Sequence, residues 1–432
     1  MRAWLQCDRC DATYPLHEVR YRCECGWLLD VTHELEGMRG VVSRETFDAR
    51  HIELAGPRTS PKHSSGVWRY TELVLPVEDE EIVSRPEGNT PSYHHERLSE
   101  WVGLDEFCVK HEGENPTGSF KDRGMTVGVT QARALGARAV ACASTGNTSA
   151  SLAAYAAMAG LPALVFIPAG HIAYGKLSQA LAYGARTFQI EGDFDDAMGL
   201  VQRVCEELDI FLLNSMNPFR LEGQKTIVFE LLQSRGWVPP QWIVFPAGNL
   251  GNTAAFGKAL HELHVLGLID TIPRLVAVQA EGANPFYLGF MGGFRERVAV
   301  RAETIATAIR IGAPVSYWRA VRALRWTDGL VMQVSDQEIM DAKAQVDAAG
   351  IGCEPASAAA VAGVRKLVAE AVMDRSDSVV AILTGHLLKD PQSTVDYHSG
   401  DTSSSLKATY ANRPIPIEAS VDAVRRSLEG WL

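Results

Sequence analysis

The feature that most constrains the fold is a regular alternation of short apolar runs and longer helical patterns from Phe107 onward. The runs predicted as strands cover residues 108–111, 139–143, 163–167, 186–190, 211–213, 242–245, 274–278, 330–334 and 379–383. The predicted helices between them include residues 148–159, 175–183, 195–208, 221–234, 253–266, 336–349 and 356–371. This order predicts an α/β protein with mainly parallel sheets, whose ligands bind at the carboxyl ends of the strands.

Size and charge narrow the functional class. The 432 residues predict two domains with smaller additions, and a formal net charge of -11 without any basic run argues against nucleic-acid binding. The first residues lack the pattern of a secretory signal. Gly160 and Pro162 interrupt the apolar stretch 150–169, which we therefore read as a helix and a strand. We expect a cytoplasmic protein without membrane or nucleic-acid partners.

Half of the eight cysteines lie within the first 25 residues. Cys7 and Cys10 form C-x2-C, and Cys23 and Cys25 form C-x-C-G. Paired thiolates of this kind are typical of a structural zinc site, although one intervening residue in the second pair is fewer than usual. A reduced cluster without metal is the alternative, and neither reading gives these cysteines a catalytic role.

The stretch 114–124 sets one lysine in a specific context. Pro116 and Gly118 predict a turn, and Ser119 is the expected N-cap of a helix whose first turn contains Lys121. The helix dipole disfavours a positive charge there, which lowers the pKa of an amine that can then form a Schiff base. A solvated surface lysine is the alternative.

Residues 144–148 follow a predicted strand and precede a helix. The hydroxyls of Ser144, Thr145 and Thr148, with the amide of Asn147, suit an anion such as a carboxylate at a helix N-terminus. A capped turn without a ligand is the alternative.

Residues 246–253 repeat this arrangement after another strand. Gly248 and Gly251 let backbone N–H groups approach a ligand closely, so a phosphate is the expected guest. The spacing is neither a dinucleotide fingerprint nor a Walker A loop. Thr384 ends the last buried strand with a hydroxyl, where an ordinary turn is the alternative.

An amine, two anion sites and a hydroxyl are thus predicted at the same sheet edge. Pyridoxal phosphate (PLP) requires these groups: a lysine for its aldehyde, a loop for its phosphate and a partner for its pyridine nitrogen. The combination favours the reactive reading of Lys121 over the surface reading.

The chain also resembles a known family. Five stretches between residues 110 and 391 are similar to those of threonine synthases and follow in family order: 113–124, 144–148, 175–185, 214–226 and 384–391. The resemblance implies a fold type II PLP enzyme with two doubly wound α/β domains and a small N-terminal Cys-knuckle segment. The expected division is 1–35 for the knuckle, 36–115 with 226–400 for the large domain, 116–225 for the small domain and 401–432 for a C-terminal extension.

The resemblance implies a role for each matching position. Lys121 matches the Schiff-base lysine, which also moves protons at Cα and Cβ of the substrate, and Asn147 matches the residue at the phenolic oxygen of the cofactor. The cofactor phosphate corresponds to Gly248, Asn249, Leu250, Gly251 and Asn252, and the pyridine nitrogen to Thr384. The substrate carboxylate corresponds to Ser144, Thr145 and Thr148, and the substrate phosphate to Asn214, Ser215 and Arg220.

The implied activity is conversion of O-phospho-L-homoserine and water to L-threonine and phosphate by a homodimer. One alternative is a related type II enzyme, such as a cysteate synthase or a threonine dehydratase. Another is a non-catalytic binding protein that resembles threonine synthase.

Three further expectations concern the rest of the chain. The segment from Glu34 to Thr90, with Pro57 and Gly66, is read as a linker or a meandering approach segment. Lys258 and the arginines 295, 297, 322 and 325 are read as solvated charges, and residues 261–264 as an exposed helix face.

Overall fold

The computed structural model describes residues 2–52, 60–169, 174–192, 194–400 and 406–429. The strands are β1 (Ala3–Cys7), β2 (Thr13–Tyr14), β3 (Leu29–His33), β4 (Ser92–His94), β5 (Glu106–His111), β6 (Val140–Ala143), β7 (Ala163–Pro168), β8 (Arg186–Ile190), β9 (Phe211–Leu212), β10 (Trp242–Pro246), β11 (Arg274–Ala280), β12 (Leu330–Val334) and β13 (Ser378–Leu383). The helices are α1 (Arg44–Ile52), α2 (Pro61–Ser64), α3 (Thr71–Val74), α4 (Glu96–Val102), α5 (Lys121–Ala134), α6 (Asn147–Ala159), α7 (Tyr174–Ala182), α8 (Phe194–Glu207), α9 (Pro218–Ser234), α10 (Gly251–Val265), α11 (Pro285–Met291), α12 (Tyr317–Trp326), α13 (Asp336–Ala348), α14 (Pro355–Ala369), α15 (Pro391–Ser399) and α16 (Val421–Leu428).

The larger sheet has the strand order β12-β11-β10-β13-β5-β4, and only β4 runs antiparallel to its neighbour. Both faces of this sheet are buried, since successive residues of β10 belong to different core clusters. Ile243 and Phe245 pack on the side of α10, whereas Val244 packs with residues of α14. The continuous apolar composition of β10 and β13 follows from this double burial.

The smaller sheet has the order β8-β7-β6-β9 and is parallel throughout. These two sheets confirm the predicted α/β class with mainly parallel strands. The predicted strands and helices from β5 to α14 recur with ends shifted by a few residues, and β8 and β12 recur without a shift. The edge strand β4 has no counterpart among the sequence predictions.

The N-terminal segment forms a third, antiparallel sheet in the order β2-β1-β3. The end of β1 and the loops of this sheet carry the cysteine pairs of the predicted knuckle. The predicted boundary between residues 225 and 226 lies inside α9, and the division into domains stays a prediction. Residues 401–405 and 430–432 of the predicted C-terminal extension lie outside the described residues.

The linker reading of residues 34–90 is wrong for its second half. Trp68, Tyr70 and Leu73 are fully buried in the main core, and Gly66 contacts Gly88 so closely that an added Cβ would lie 2.9 Å from its Cα. Apolar packing therefore overrides the turn-rich composition of this segment. Pro57 lies outside the described residues.

Some residues that we expected to be solvated form ion pairs within the protein. Lys258 pairs with Glu222, Arg322 pairs with Asp8 and Asp30, and Glu262 is 3% exposed and pairs with Lys225. These pairs join distant parts of the chain, which local sequence patterns do not report. In the described ranges, no helix combines the length and apolarity required to cross a membrane.

Candidate active site

A cavity of about 940 Å3 lies where the carboxyl ends of parallel strands from the larger and the smaller sheet face each other. The loops after β5, β6, β9, β10 and β13 all contribute to its wall. Every cofactor-binding and substrate-binding residue expected from the sequence lines this cavity: Lys121, Ser144, Thr145, Asn147, Thr148, Asn214, Ser215, Arg220, Gly248, Asn249, Leu250, Gly251, Asn252 and Thr384. The topology therefore brings these residues to one place, as the sheet-edge argument predicts.

Lys121 is the first residue of α5, but the N-cap expected at Ser119 is wrong. The N-cap is Phe120, which makes no side-chain capping bond. Phe120 N donates to the carbonyl of Thr384 at 3.0 Å, and Ser119 forms a bridge with Gly385. This pairing turns the serine side chain inward, where its hydroxyl is fully buried and has no hydrogen-bond partner among the described residues.

The turn before Lys121 is held by hydrogen bonds to the side chain of Asp122, the next residue in the chain. The backbone N–H and the hydroxyl of Thr117 donate to Asp122 at 2.7 and 2.5 Å, and the hydroxyl of Ser151 donates to it at 2.6 Å. Burial raises the pKa of Asp122 to about 6, although these hydrogen bonds oppose the shift. The turn and the start of α5 are therefore tied to α6.

The surroundings of Lys121 lower the pKa of its amine and so favour the reactive, neutral form. Burial lowers its pKa to about 7, with a further lowering by the nearby charge of Arg220 and a smaller opposing effect of Glu354. Its Nζ lies 4.2 Å from the ring centroid of Phe120. A substantial fraction of the amine is thus neutral at physiological pH, as a nucleophile and proton carrier requires.

Arg220 lies at the start of α9 and faces the same cavity. It is 2% exposed, and its Nη1 donates to the carbonyl of Leu213 at 3.0 Å. Within the described part of the chain, Nε has no hydrogen-bond partner and no carboxylate pairs with the guanidinium. Burial lowers its pKa to about 10. A buried arginine without a counter-ion is suited to bind an anion such as phosphate.

Asn214 lies beside this arginine, but its side-chain amide forms hydrogen bonds with the protein backbone. Its Oδ1 accepts from the N–H of Ala143 at 2.9 Å, and its Nδ2 donates to the carbonyl of Ala143 at 3.0 Å. This pairing continues the contact of β6 with β9 beyond the last residue of β9. One amide hydrogen stays available for the ligand expected from the sequence, and Ser215 lines the cavity next to it.

The glycine loop after β10 leads directly into α10. Leu250 occupies the N-cap with φ of 64° and offers no capping side chain, so the first N–H groups of α10 face the cavity unpaired by a cap. A Cβ on Gly248 would lie 3.1 Å from Cα of Ile309, so a larger residue there would press on the backbone of Ile309. The Oδ1 of Asn252 and the hydroxyl of Thr253 are buried without hydrogen-bond partners among the described residues.

Helix α6 also begins at the cavity. Its N-cap is Gly146, which has no side chain, and Ser144 Oγ accepts from Gly146 N at 3.2 Å. Thr145 and Thr148 line the same wall. With α5 and α10, three helix N-termini without side-chain caps meet at the cavity and favour anionic ligand groups there.

Thr384 is held in place by a serine that sequence reasoning missed. The hydroxyl of Ser357 lies 3.1 Å from that of Thr384 and accepts from the backbone N–H groups of Thr384 and Gly385, each at 2.9 Å. Ser357 lies in the first turn of α14. A single serine in an alanine-rich helix carries no signal of this role in the sequence.

Glu354 and Lys389 are further charged residues of the cavity that sequence reasoning missed. Lys389 Nζ donates to the carbonyl of Thr117 at 3.1 Å and to Gln179 Oε1 at 2.5 Å, which links it to α7. Glu354 precedes the proline that begins α14, a common position for an acidic residue at a helix start. Neither position has a distinctive sequence signal.

The residues of the cavity fit PLP. Uncapped helix N-termini and the buried, unpartnered polar atoms of Asn252 and Thr253 suit a phosphate, and Lys121 supplies an amine of lowered pKa. The hydroxyl of Thr384 offers a neutral partner for the pyridine nitrogen. Such a partner, unlike a carboxylate, does not stabilise a proton on that nitrogen.

The N-terminal cysteines form a compact cluster outside this cavity. Ligand atoms of Cys7, Cys10, Cys23 and Cys25 all lie within 4.8 Å of one another. Cys7 Sγ lies 3.5 Å from Cys25 Sγ, and Cys10 Sγ lies 3.4 Å from Cys23 Sγ and 3.6 Å from Cys25 Sγ. Four thiolates around Zn2+ at about 2.3 Å are separated by about 3.8 Å, close to these distances.

Comparison with known proteins gives a family match over most of the chain. The model of a family described as pyridoxal-phosphate dependent enzyme matches residues 83–385. The chain is 44% identical to a threonine synthase of Methanocaldococcus jannaschii, an alignment covering 98% of this chain and 99% of that protein. It is 45% identical to a threonine synthase of Methanosarcina acetivorans, covering 99% and 98% of the two chains. Threonine synthase 2, chloroplastic, of Arabidopsis thaliana is 42% identical, covering 97% and 83%.

Solved structures show the same fold at low sequence identity. Threonine deaminase isoform 2 from Solanum lycopersicum superposes with a TM-score of 0.62 and 21% identity, covering 74% of this chain and 84% of that one. Maize serine racemase gives a TM-score of 0.62 and 22% identity, covering 75% and 94%. These likenesses confirm the fold type II architecture. The sequence identities given above establish which family with this fold the chain belongs to. The chain therefore belongs to the pyridoxal-phosphate-dependent enzymes and, among them, to the threonine synthase family.

Proposed function

We propose that this protein converts O-phospho-L-homoserine and water to L-threonine and phosphate with PLP as cofactor. The observation that carries the proposal is the presence of two basic groups in one cavity: the amine of Lys121, whose pKa is lowered to about 7, and the buried guanidinium of Arg220, which has no counter-ion among the described residues. A reactive amine and a buried guanidinium in one cavity suit an amino acid that carries a phosphate at its far end.

Substrate binding would use the two anionic ends of phosphohomoserine. The guanidinium of Arg220, with Ser215 and the remaining amide hydrogen of Asn214, is assigned to the phosphate. The carboxylate is assigned to Ser144, Thr145 and Thr148 at the start of α6. Two fixed anion sites orient the carbon chain between them, which restricts the reaction to one face and one direction.

PLP, when bound, stabilises negative charge at the substrate carbons through its conjugated ring. Lys121 is assigned the proton transfers at Cα and Cβ, since an amine with pKa near 7 accepts and returns a proton with similar ease at neutral pH. Phosphate then leaves Cγ as an anion, toward Arg220. The protons taken from Cα and Cβ return to Cγ and Cα, water supplies the hydroxyl at Cβ, and the remaining proton of the water goes to the released phosphate, which completes threonine.

Product analysis with separate substrates tests the proposal. We expect equal amounts of phosphate and threonine from O-phosphohomoserine, and none of either with Lys121→Ala. Cysteate from O-phosphoserine with sulfite would favour a cysteate synthase, and 2-oxobutyrate from threonine would favour a dehydratase. Absence of every product from a protein that holds PLP would support the non-catalytic alternative and overturn the proposal.

The phosphate assignment has its own test. Arg220→Met preserves an unbranched buried side chain but removes the cation. We expect KM for phosphohomoserine to rise by about 100-fold or more, since a charge-assisted phosphate contact contributes about 3 kcal/mol. Inorganic phosphate should inhibit the wild type competitively and the variant much less. Equal inhibition of both proteins would remove Arg220 from the phosphate site.

Two further proposals concern assembly and metal. We propose that Cys7, Cys10, Cys23 and Cys25 hold one structural zinc ion, because the four sulfur atoms form a compact group. We also propose a cytoplasmic homodimer, as the family resemblance implies. Light scattering of the purified protein measures its mass in solution, and a monomeric mass would refute the dimer.

A further inference from the structure

Glu354 has an unusual environment for a carboxylate in this cavity. It is 5% exposed and lies between the buried Cys353 and the proline that begins α14. Its backbone N–H donates to the carbonyl of Gly385 at 3.1 Å. A Cβ on Gly385 would lie 2.3 Å from Glu354 Oε1, so a glycine at that position makes room for the carboxylate.

The carboxylate of Glu354 lacks a counter-ion within the described ranges. Among the described residues, no lysine, arginine or histidine nitrogen forms an ion pair with Glu354 within 4.0 Å. Its side-chain partner is Asn147, whose Nδ2 lies 3.3 Å from Oε1 and 3.1 Å from Oε2. A buried carboxylate that is satisfied by one amide rather than by a cation calls for a specific reason.

The contact decides which way the Asn147 amide faces. An asparagine amide has two hydrogens on Nδ2 and an acceptor oxygen on the other side. The reversed orientation would set Oδ1 against the carboxylate oxygens of Glu354, which is unfavourable. The carboxylate therefore holds Nδ2 on its own side and leaves the second hydrogen of Nδ2 free to serve a ligand in the cavity.

We propose that Glu354 is a positioning residue, which fixes the amide of Asn147 so that an N–H group is directed at the phenolic oxygen of PLP. The proposal deepens the proposed function and rests on its assignment of Asn147 to that oxygen. Glu354 acts through Asn147 and needs no contact with substrate.

The electrostatic setting agrees with this role. Burial raises the pKa of Glu354, whereas the hydrogen bond from Asn147 and the charge of Lys389 lower it. In either protonation state the carboxyl group offers an oxygen that accepts from Nδ2. Replacement by glutamine, whose amide oxygen also accepts, is therefore expected to preserve the positioning, whereas methionine of similar size removes every acceptor.

The test measures cofactor binding without substrate. The full-length protein is stripped of PLP and titrated with it, while the visible absorption band of the bound cofactor gives the Kd and the position of the band. We expect Glu354→Met to raise Kd by about tenfold and to shift the band, and Glu354→Gln to stay within about threefold of wild type, as expected for loss or retention of one buried hydrogen bond. Glu370→Gln, at the exposed C-terminal end of the same helix, serves as the matched control and should match wild type.

A double-mutant cycle separates positioning from general stability. If Glu354 acts through Asn147, Glu354→Met in an Asn147→Ala background should raise Kd by less than about twofold, since coupled residues are not additive. Equal effects of Glu354→Met in both backgrounds, or a glutamine variant as weak as the methionine variant, would overturn the proposal. Thermal unfolding of the proteins without PLP shows whether each variant is folded. If Glu354→Met is not folded, Gly385→Ala replaces it in the cycle, because a Cβ at that position displaces the carboxylate of Glu354.

These readouts do not depend on the substrate. A protein that makes no threonine but shows the expected coupling between Glu354 and Asn147 would refute the proposed reaction and leave the positioning role intact. A protein that makes threonine but shows additive effects at Glu354 and Asn147 would refute the positioning role and leave the proposed reaction intact.

Discussion

Gly223 of α9 lies against the backbone of Arg123 in α5 so closely that a Cβ on the glycine would be 1.7 Å from the carbonyl oxygen of Arg123. The same Cβ would be 2.9 Å from Cα of Gly124. This crossing brings the helix that begins with Lys121 into direct contact with the helix that carries Arg220. The relative position of the two cations therefore depends on the absence of one side chain.

The first prediction concerns this crossing. We expect Gly223→Ala to destabilise the fold by about 3 kcal/mol or more, because backbone atoms cannot move aside as a flexible side chain does. Urea-induced unfolding of the cofactor-free protein measures the change. Gly199→Ala in α8 is the matched control: its nearest neighbour would be a flexible arginine atom at 3.8 Å. There alanine should stabilise by about 0.5–1 kcal/mol through its higher helix propensity. Equal effects at the two glycines would contradict the packing argument.

The lowered pKa of Lys121 predicts a specific pH profile. The neutral amine is the reactive form, so labelling of Lys121 by a small acylating reagent in the cofactor-free protein should rise with pH to a plateau above about 7. Below the pKa the rate should fall about tenfold per pH unit. Peptide mass spectrometry follows the modification.

Arg220→Met tests the source of this shift. Removal of the positive charge should move the midpoint of the Lys121 profile to higher pH, since a nearby like charge disfavours the protonated amine. Lys407, whose side chain is exposed, provides the internal reference. A midpoint that stays in place, or moves to lower pH, would show that Arg220 has no part in the shift.

A further prediction concerns the buried charges between the N-terminal sheet and the main core. Glu222 pairs with His33 at 2.8 Å and Lys225 at 2.5 Å, and it also contacts Lys258. Glu222→Gln would leave the buried ammonium group of Lys225 and the partly buried one of Lys258 with weaker compensation, so we expect a loss of about 3–5 kcal/mol at pH 7. Asp105→Asn, in an exposed pair with Arg375, should cost less than about 1 kcal/mol.

The pH dependence of this cost has a defined sign. Burial raises the pKa of Glu222, but the ammonium groups of Lys225 and Lys258 outweigh it and hold the pKa well below its usual range. The stabilisation is therefore complete above the pKa of an unfolded glutamate and is lost as pH falls through the lower folded value. Denaturation of wild type and Glu222→Gln at pH 7 and pH 3 should show a smaller difference at pH 3. A difference that grows on acidification would exclude this account.

The cysteine cluster predicts one tightly bound metal ion per chain. We expect elemental analysis to find about one zinc per chain in wild type and much less in Cys10→Ser, because loss of one thiolate removes a ligand and opens the site. Cys108→Ser, a half-buried thiol outside the cluster, is the control and should retain the metal. Metal-free wild type with intact stability would support the reduced cluster instead.

The sequence by itself determined the class of fold and most of the cavity. The alternation of strand-like and helix-like apolar patterns predicts parallel strands. The carboxyl ends of parallel strands lie at one edge of the sheet, whatever residues the loops contain. Motifs that directly follow those strands, such as 144–148 and the loop from Gly248 to Asn252, therefore reach the cavity together with Lys121. Their positions depend on local pattern and topology alone.

Tertiary structure alone decided which distant groups meet. Glu354 and Asn147 are separated by 207 residues, and Lys258 owes its partners to the packing of α10 against α9 and the N-terminal sheet. Ser119 has the residue type of an N-cap, yet pairing of the chain with Gly385 turns it inward. Burial, charge pairing and pKa depend on the summed surroundings of a group, whereas sequence patterns report only its neighbours along the chain.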